Sequence, residues 1–276
     1  MCVYLNTISP LNKFKELLRS KYFVDKTMLI EKINEILDTR DKFLCITKPR
    51  RFGKSSVADM LGAYYSKAFN SEDVFNKLNI SKVNNYKEHL NKYNVIYMTL
   101  NKLPKEGNTY FDYINMIQGY LIKDITKKFP FIKAEDYYSI DDIFSATGEK
   151  FVFIIDEWDY IFSHNLFKEN QDDFLEFLRN ILKDKEYVSL AYMTGVLPIK
   201  QYSTGSALNM FNEYTMLNDR IYAEYFGFTE EEVKGLCSEE NSVSFKEIKE
   251  WYNGYTTNKG KSIYNPRSVV CALRDD

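Results

Sequence analysis

Five short apolar runs punctuate the chain: KFLCIT (42–47), NVIYMTL (94–100), KFVFIID (150–156), VSLAYMT (188–194) and EYTML (213–217). Several are apolar almost throughout, which is the pattern of strands covered on both faces. Between them the apolar residues recur every three or four positions, as a helix with one buried face requires. Val57, Met60, Leu61, Tyr64, Tyr65 and Ala68 follow this spacing after Lys54, and Phe174, Phe177, Leu178, Ile181 and Leu182 repeat it. Strands alternating with helices predict an α/β fold around a central, mostly parallel sheet.

The two ends read differently. LNKFKELL (11–18) predicts a helix, and YFVDKTMLIEKINEIL (22–37) an extended piece that turns into a helix near Asp25 or Thr27. Beyond Gly227 the long apolar runs stop. FTEEEVKGL (228–236) and VSFKEIKEWY (243–252) predict two short helices, and Thr229 with Glu232 has the spacing of a capping box. The chain is therefore expected to divide into a core over residues 1–227 and a small helical lid, or the start of a C-terminal subdomain, over 228–276.

Composition narrows the function classes. With 22 Tyr and 20 Phe in 276 residues, many core positions should be aromatic. A net charge of −2 supplies no broad basic surface, so a non-specific grip on nucleic acid is not indicated. The most basic stretch, KDITKKFPFIK (123–133), reads either as a solvated face or as a local patch. Cys2, Cys45, Cys237 and Cys271 are widely spaced, and His89 and His164 are the only histidines, which argues against a zinc cluster or a disulfide framework. The start lacks the charge and apolar pattern of a signal peptide, and no run of 18 apolar residues occurs. A cytoplasmic location is the expectation.

The candidate chemistry begins in ITKPRRFGKSSVADML (46–61). A phosphate-binding loop needs backbone amides converging on the phosphates, a lysine that reaches them and a hydroxyl for magnesium. Gly53, Lys54 and Ser55 supply the last turn, the ammonium and the hydroxyl, between a buried strand and a helix start. Lys48 stands where the usual pattern has its first glycine, and Pro49 offers another way to stiffen the loop entry. The second signal is FVFIIDEWD (151–159), an apolar strand ending in two acids. Asp156 would orient magnesium and Glu157 would accept a proton from the attacking water. Alone, this segment reads equally as a strand stopping at polar residues that cap a helix. Together the two signals point to a nucleoside-triphosphate site. A glutamate directly after the aspartate points to the class with an extra strand between the loop strand and the acidic strand, which VSLAYMT would supply. The expected sheet order is then fifth, first, fourth, third, second. Thr194 would end that extra strand, either sensing the γ-phosphate or holding water, or else satisfied by its own backbone.

YFVDKT (22–27), ITKPRRFGKS (46–55), FIIDEWD (153–159), MTGV (193–196), EYFGFTEEEV (224–233), WYNGY (251–255) and YNP (264–266) together resemble the predicted AAA-ATPase-like family of bacterial and archaeal proteins. This family is similar to the additional-strand P-loop ATPases, and its loop typically reads PRRFGKS without the first glycine. The resemblance implies nucleotide and magnesium roles for Lys54, Ser55, Asp156 and Glu157, with Lys48, Arg50, Arg51, Phe52, Gly53 and Ser56 completing the loop. Asp25, Lys26 and Thr27 match the N-terminal motif, either beside the base or ribose or as a helix cap. Tyr252, Gly254, Asn265 and Pro266 match the C-terminal motifs. Arg267 stands where the family usually has tryptophan, as a lid arginine or a surface residue. Many members carry a C-terminal nuclease-like domain. This sequence ends soon after YNP, so nuclease activity is not expected of it.

The resulting expectation is binding of ATP and Mg²⁺ with slow hydrolysis, coupled to a protein partner, a further copy of the chain or nucleic acid. An arginine from a partner would speed such a site, or Arg50 and Arg51 would serve in place. Arg179 and Arg220 read as interface arginines or as surface charge. The alternative is a nucleotide-dependent switch or scaffold without useful turnover. A small-molecule kinase fits less well, because no arginine-rich lid segment is evident.

Overall fold

In the computed structural model, which describes residues 2–202, 207–237, 243–252, 254–257 and 260–274, each of the five apolar runs contributes a strand. They are β1 (Phe43–Thr47), β2 (Asn94–Thr99), β3 (Phe151–Asp156), β4 (Val188–Gly195) and β5 (Asn212–Tyr214). The neighbours run β2-β3-β4-β1-β5, and every pairing is parallel. A sheet order has no direction, so from its other edge the same sheet reads β5-β1-β4-β3-β2.

β1, β3 and β4 are buried at every position, which is why their sequences carry almost no polar residues. Alternate side chains feed two separate cores. Leu44, Ile46, Ile154 and Tyr192 face a cluster built with α1 (Ser9–Leu18), α2 (Leu29–Asn34) and α3 (Lys54–Tyr65). Phe43, Cys45, Phe153 and Met193 face the helices Tyr110–Lys128, Ile140–Ala146 and Gln171–Leu182. Each large apolar side chain fully removed from water contributes about 1.5–3 kcal/mol before entropy is counted. The sheet is thus held rigid from both sides, and its C-terminal strand ends become a fixed platform.

The first residues run alongside β2. Asn6 N donates to Val95 O at 2.7 Å and Tyr97 N to Tyr4 O at 2.9 Å, around an antiparallel bridge between Leu5 and Ile96. Buried Asp124 fastens this segment by accepting from the amides of Val3, Tyr4 and Leu5 at 2.7, 2.6 and 3.0 Å.

Two expectations change. The helix expected to open near Asp25 or Thr27 opens at Leu29. The Asp25 carboxylate accepts from the Thr27 amide at 2.8 Å and the Thr27 hydroxyl at 2.6 Å, holding a turn ahead of the helix. The segment expected to be a helical lid contains a three-stranded antiparallel sheet as well. Its strands are β6 (Phe228–Thr229), β7 (Tyr255–Thr256) and β8 (Ser262–Tyr264), in the order β6-β8-β7. Strands of two or three residues are too short to show alternation in a sequence. Around them pack the helices Glu230–Leu236, Phe245–Trp251 and Pro266–Arg274, with Phe228, Val233, Ile248, Tyr264, Val269 and Leu273 at the centre. Thr229 and Glu232 do form a reciprocal capping box. Among the described residues no helix is long and apolar enough to cross a membrane.

Candidate functional site

β1 ends at Thr47, and the chain passes through Lys48–Gly53 before α3 opens at Lys54. Gly53 has φ +81° in the left-handed region, where a Cβ would be strained although the space around it is open. Arg51 also lies there, at φ +71°. The Lys54 ammonium folds back over the loop and donates to the carbonyls of Lys48 at 2.8 Å and Pro49 at 2.9 Å. Burial pulls the pKa of Lys54 below its usual value, while Asp156, Asp159 and Glu157 pull it the other way.

The acids come from the end of β3. Buried Asp156 accepts through Oδ1 from the Thr194 hydroxyl at the end of β4, and its Oδ2 has no hydrogen-bond partner among the described residues. The Thr194 hydroxyl also receives a long 3.5 Å contact from the Glu157 amide, and its carbonyl accepts from Trp158 N at 3.0 Å. Glu157 is exposed, with φ +56°, and its Oε2 accepts from Asn101 Nδ2 at 2.7 Å. Asp159 turns back to accept from the amides of Val196 at 2.8 Å and Leu197 at 2.7 Å, locking the ends of β3 and β4 together. Gly195 is required at that junction. A Cβ there would lie 2.5 Å from Trp158 Nε1 and 2.9 Å from Asp159 Oδ1.

A cleft of about 490 Å³ opens over these strand ends. Arg50, Arg51, Gly53, Lys54, Ser55 and Ser56 line it from the loop and α3, with Glu157 and Asp159 from the acidic segment. Tyr160, Ser163, His164, Gly195 and Val196 complete it. A second cavity of about 410 Å³ shares Gly53 and Ser56 with the first. Its walls are largely apolar, from Phe14, Tyr22, Phe23, Phe52, Met60 and Phe228, and Lys26, Thr27, Pro266 and Arg267 also border it.

The residues singled out from sequence therefore separate into groups. Arg50, Arg51, Gly53, Lys54, Ser55, Ser56 and Glu157 share the first cleft. Asp156 and Thr194 are buried and bonded to each other, so Thr194 is satisfied by the acid rather than by its own backbone. Phe52, Lys26 and Thr27 border the second cavity.

The Lys48 side chain lines neither cavity. It is buried behind the loop, with Nζ 3.1 Å from Thr215 O and 3.4 Å from Asp219 Oδ2. Burial lowers its pKa and Asp219 opposes that shift. Asp25 lines neither cavity and accepts from Asn79 N at 2.7 Å, and Thr27 Oγ1 accepts from Ile80 N at 3.1 Å. The Lys26 ammonium is engaged by both Glu232 oxygens and by Glu224 O, each at 2.6 Å. Arg267 borders the second cavity rather than the first. Arg179 pairs with Glu176 at 3.0 Å on its own helix, and the side chain of Arg220 lies outside the described residues.

The C-terminal segment touches the loop directly. Gly227 N donates to Phe52 O at 3.1 Å, Asn265 Nδ2 donates to Arg50 O at 3.3 Å, and the Phe52 and Tyr255 rings meet edge to face at 5.3 Å. Asn265 and Tyr255 thus find a role as contacts of the loop, while Asn253 of the same motif lies outside the described residues. Sequence reasoning missed Asn101, Asp219 and His164. Asn101 stands just past a strand, a position that carries no signal by itself. Asp159 lay in plain view within DEWD, but its task of joining two strand ends appears only in three dimensions.

A family model for AAA-ATPase-like proteins, described as predicted AAA-ATPase, matches residues 10–204. No curated protein matches the chain.

Proposed function

The chain belongs to the family of predicted AAA-ATPases, and from that premise we propose that it binds ATP with Mg²⁺ and hydrolyses it slowly. The observation that carries this reading is the shared cleft, which brings Lys54 and Ser55 from one strand–helix junction together with Glu157 from another.

The residue roles follow from charge and donor type. The amides at the start of α3 and the Lys54 ammonium bind phosphates, Lys54 exchanging the carbonyls of Lys48 and Pro49 for phosphate oxygens. A hydroxyl and a carboxylate are the hard oxygen donors that magnesium takes. The Ser55 hydroxyl and the unengaged Oδ2 of Asp156 fit that need, and the ion would neutralise charge on the phosphates. Thr194 fixes the direction of Asp156. Glu157 accepts the proton of the attacking water. Arg50 and Arg51 place two guanidinium groups in the same cleft. An arginine from a partner protein or another copy would add to them, and such a residue contributes roughly 10³–10⁵ in rate. The apolar second cavity, joined to the first at Gly53 and Ser56, takes the base.

Calorimetry and phosphate release test this. Lys54→Ala should abolish binding of magnesium nucleotide. Glu157→Gln should keep binding and lose turnover. Flat calorimetry with the unaltered protein would overturn the proposal. The same assay with DNA or RNA added tests coupling to nucleic acid, which a rise in turnover would support.

A second reading, a nucleotide-dependent switch, is favoured by the contacts of Gly227, Asn265 and Tyr255 with the loop. Through them, ligand binding at the loop would reposition the C-terminal segment. A biological output unchanged by Glu157→Gln would select this reading.

A further inference from the structure

Tyr160, Ser163 and His164 line the cleft but have no part in the scheme above. His164 Nδ1 lies 2.9 Å from Tyr160 O and 3.0 Å from Ser163 Oγ. A carbonyl oxygen can only accept, so the contact with Tyr160 O puts a hydrogen on Nδ1. Ser163 Oγ donates to the same carbonyl at 3.1 Å, which leaves its lone pairs free to face Nδ1–H. The imidazole also packs on the Tyr160 ring, with centroids 4.1 Å apart and planes 33° from each other. One nitrogen is thereby fixed as a donor and the ring is held in place. Nε2 has no partner among the described residues.

The charged and titratable groups around this ring in the cleft come from three places. The loop supplies Arg50 and Arg51, α3 supplies Lys54, and the segment after β3 supplies Glu157, Asp159 and Tyr160. A bound triphosphate presents only acceptor oxygens. A ring nitrogen without a hydrogen is an acceptor too, so Nε2 can face a phosphate only as an N–H donor.

We propose that His164 is a specificity-determining residue for the terminal phosphate: Nε2 takes a proton from solvent when a nucleoside triphosphate binds, and donates it in a hydrogen bond to the terminal phosphoryl oxygens. This rests on the reading of the cleft as a nucleotide site. The terminal phosphate is chosen because His164 shares its cleft with Lys54 and Glu157, whereas the apolar cavity suited to a base lies on the other side of Gly53 and Ser56.

The test compares the unaltered protein with His164→Gln and His164→Ala. Binding of magnesium-ATP and magnesium-ADP is measured calorimetrically between pH 6 and 8, in two buffers of different ionisation enthalpy. Proton exchange by the nucleotide itself is common to all proteins and cancels in the difference. The unaltered protein should take up more protons with ATP than His164→Gln does, and show no such excess with ADP. Its preference for ATP over ADP should fall about tenfold across the range, the scale of one hydrogen bond to a charged group. In both variants that pH dependence should vanish while ADP affinity stays the same. Equal proton uptake, or an equal ATP preference at every pH, would overturn the proposal with the nucleotide reading intact. Loss of ADP binding in both variants would show a merely structural histidine and overturn it too. Failure of the unaltered protein to bind either nucleotide would bring down both readings.

Discussion

Asn101 Nδ2 donates to Glu157 Oε2 across 2.7 Å, tying the residue proposed to activate water to the chain leaving the neighbouring strand. The backbone of Glu157 sits at φ +56°, a region that costs a non-glycine residue about 1–3 kcal/mol. Asn101 does not line the cleft, so the bond holds one carboxylate oxygen to the side of it. Asn101→Ala should therefore raise unstimulated phosphate release several-fold at unchanged nucleotide affinity. A fall in kcat would mean instead that Asn101 aims Glu157 at the water.

Lys48 and Asp219 form a pair whose side chains are 1% and 2% exposed. Removing one partner leaves an uncompensated buried charge, at a cost of about 3–5 kcal/mol. Asp219→Ala should lower the melting temperature by roughly 10 °C, on the slope usual for a chain of this size. The double change Lys48→Met with Asp219→Leu should recover most of that loss. A single change that leaves the melt unmoved would contradict the assignment.

Asp59, on the helix that carries Lys54, has its pKa pushed up to about 6 from 3.8, chiefly by burial. The Tyr97 hydroxyl, 2.7 Å away, and Lys13 oppose the shift, and Asp156 adds to it. The folded state therefore holds this proton more tightly than the unfolded chain does. The stabilisation is fully present below about pH 4 and is lost as pH rises through about 6, with an upper bound of about 3 kcal/mol. Asp59→Asn should raise the melting temperature at pH 7–8 and change it little at pH 4. Parallel melting curves for the two proteins across pH would refute this.

Lys26 joins the N-terminal segment to the C-terminal one through Glu232 and the Glu224 carbonyl. Burial lowers its pKa, and the Glu232 carboxylate pulls against that. Lys26→Met should loosen the wall of the cavity proposed for the base, weakening ATP binding about tenfold and speeding proteolysis after residue 227. Glu232→Gln separates the two tasks of Glu232, because glutamine still serves the capping box while losing the ion pair. It should reproduce the weaker binding with the helix intact. Unchanged affinity in both variants would show that the tie is not part of the site.

What could be read from the chain was whatever repeats locally. β1, β3 and β4 announced themselves because burial on both faces excludes polar residues from consecutive positions. The start of α3 was legible because Gly53, Lys54 and Ser55 are contiguous. The inward turn of the Lys48 side chain left no local signal, because its partner Asp219 lies 171 positions away. Asp25 left open a base contact or a cap, and the structure adds a bond to Asn79 that no local pattern encodes. Thr194 was placed at the right strand end, but its partner could not be chosen until β3 and β4 were side by side. β6, β7 and β8 are too short to impose any period.

The opening residues that Asp124 fastens beside β2 also limit how copies of this molecule can join. They occupy main-chain groups of Val95 and Tyr97 that would otherwise invite a foreign β-strand. The opposite border, β5, offers only three residues. A second copy meeting either border of the five-stranded sheet would therefore find little free main chain to pair with, and contact there would fall to side chains.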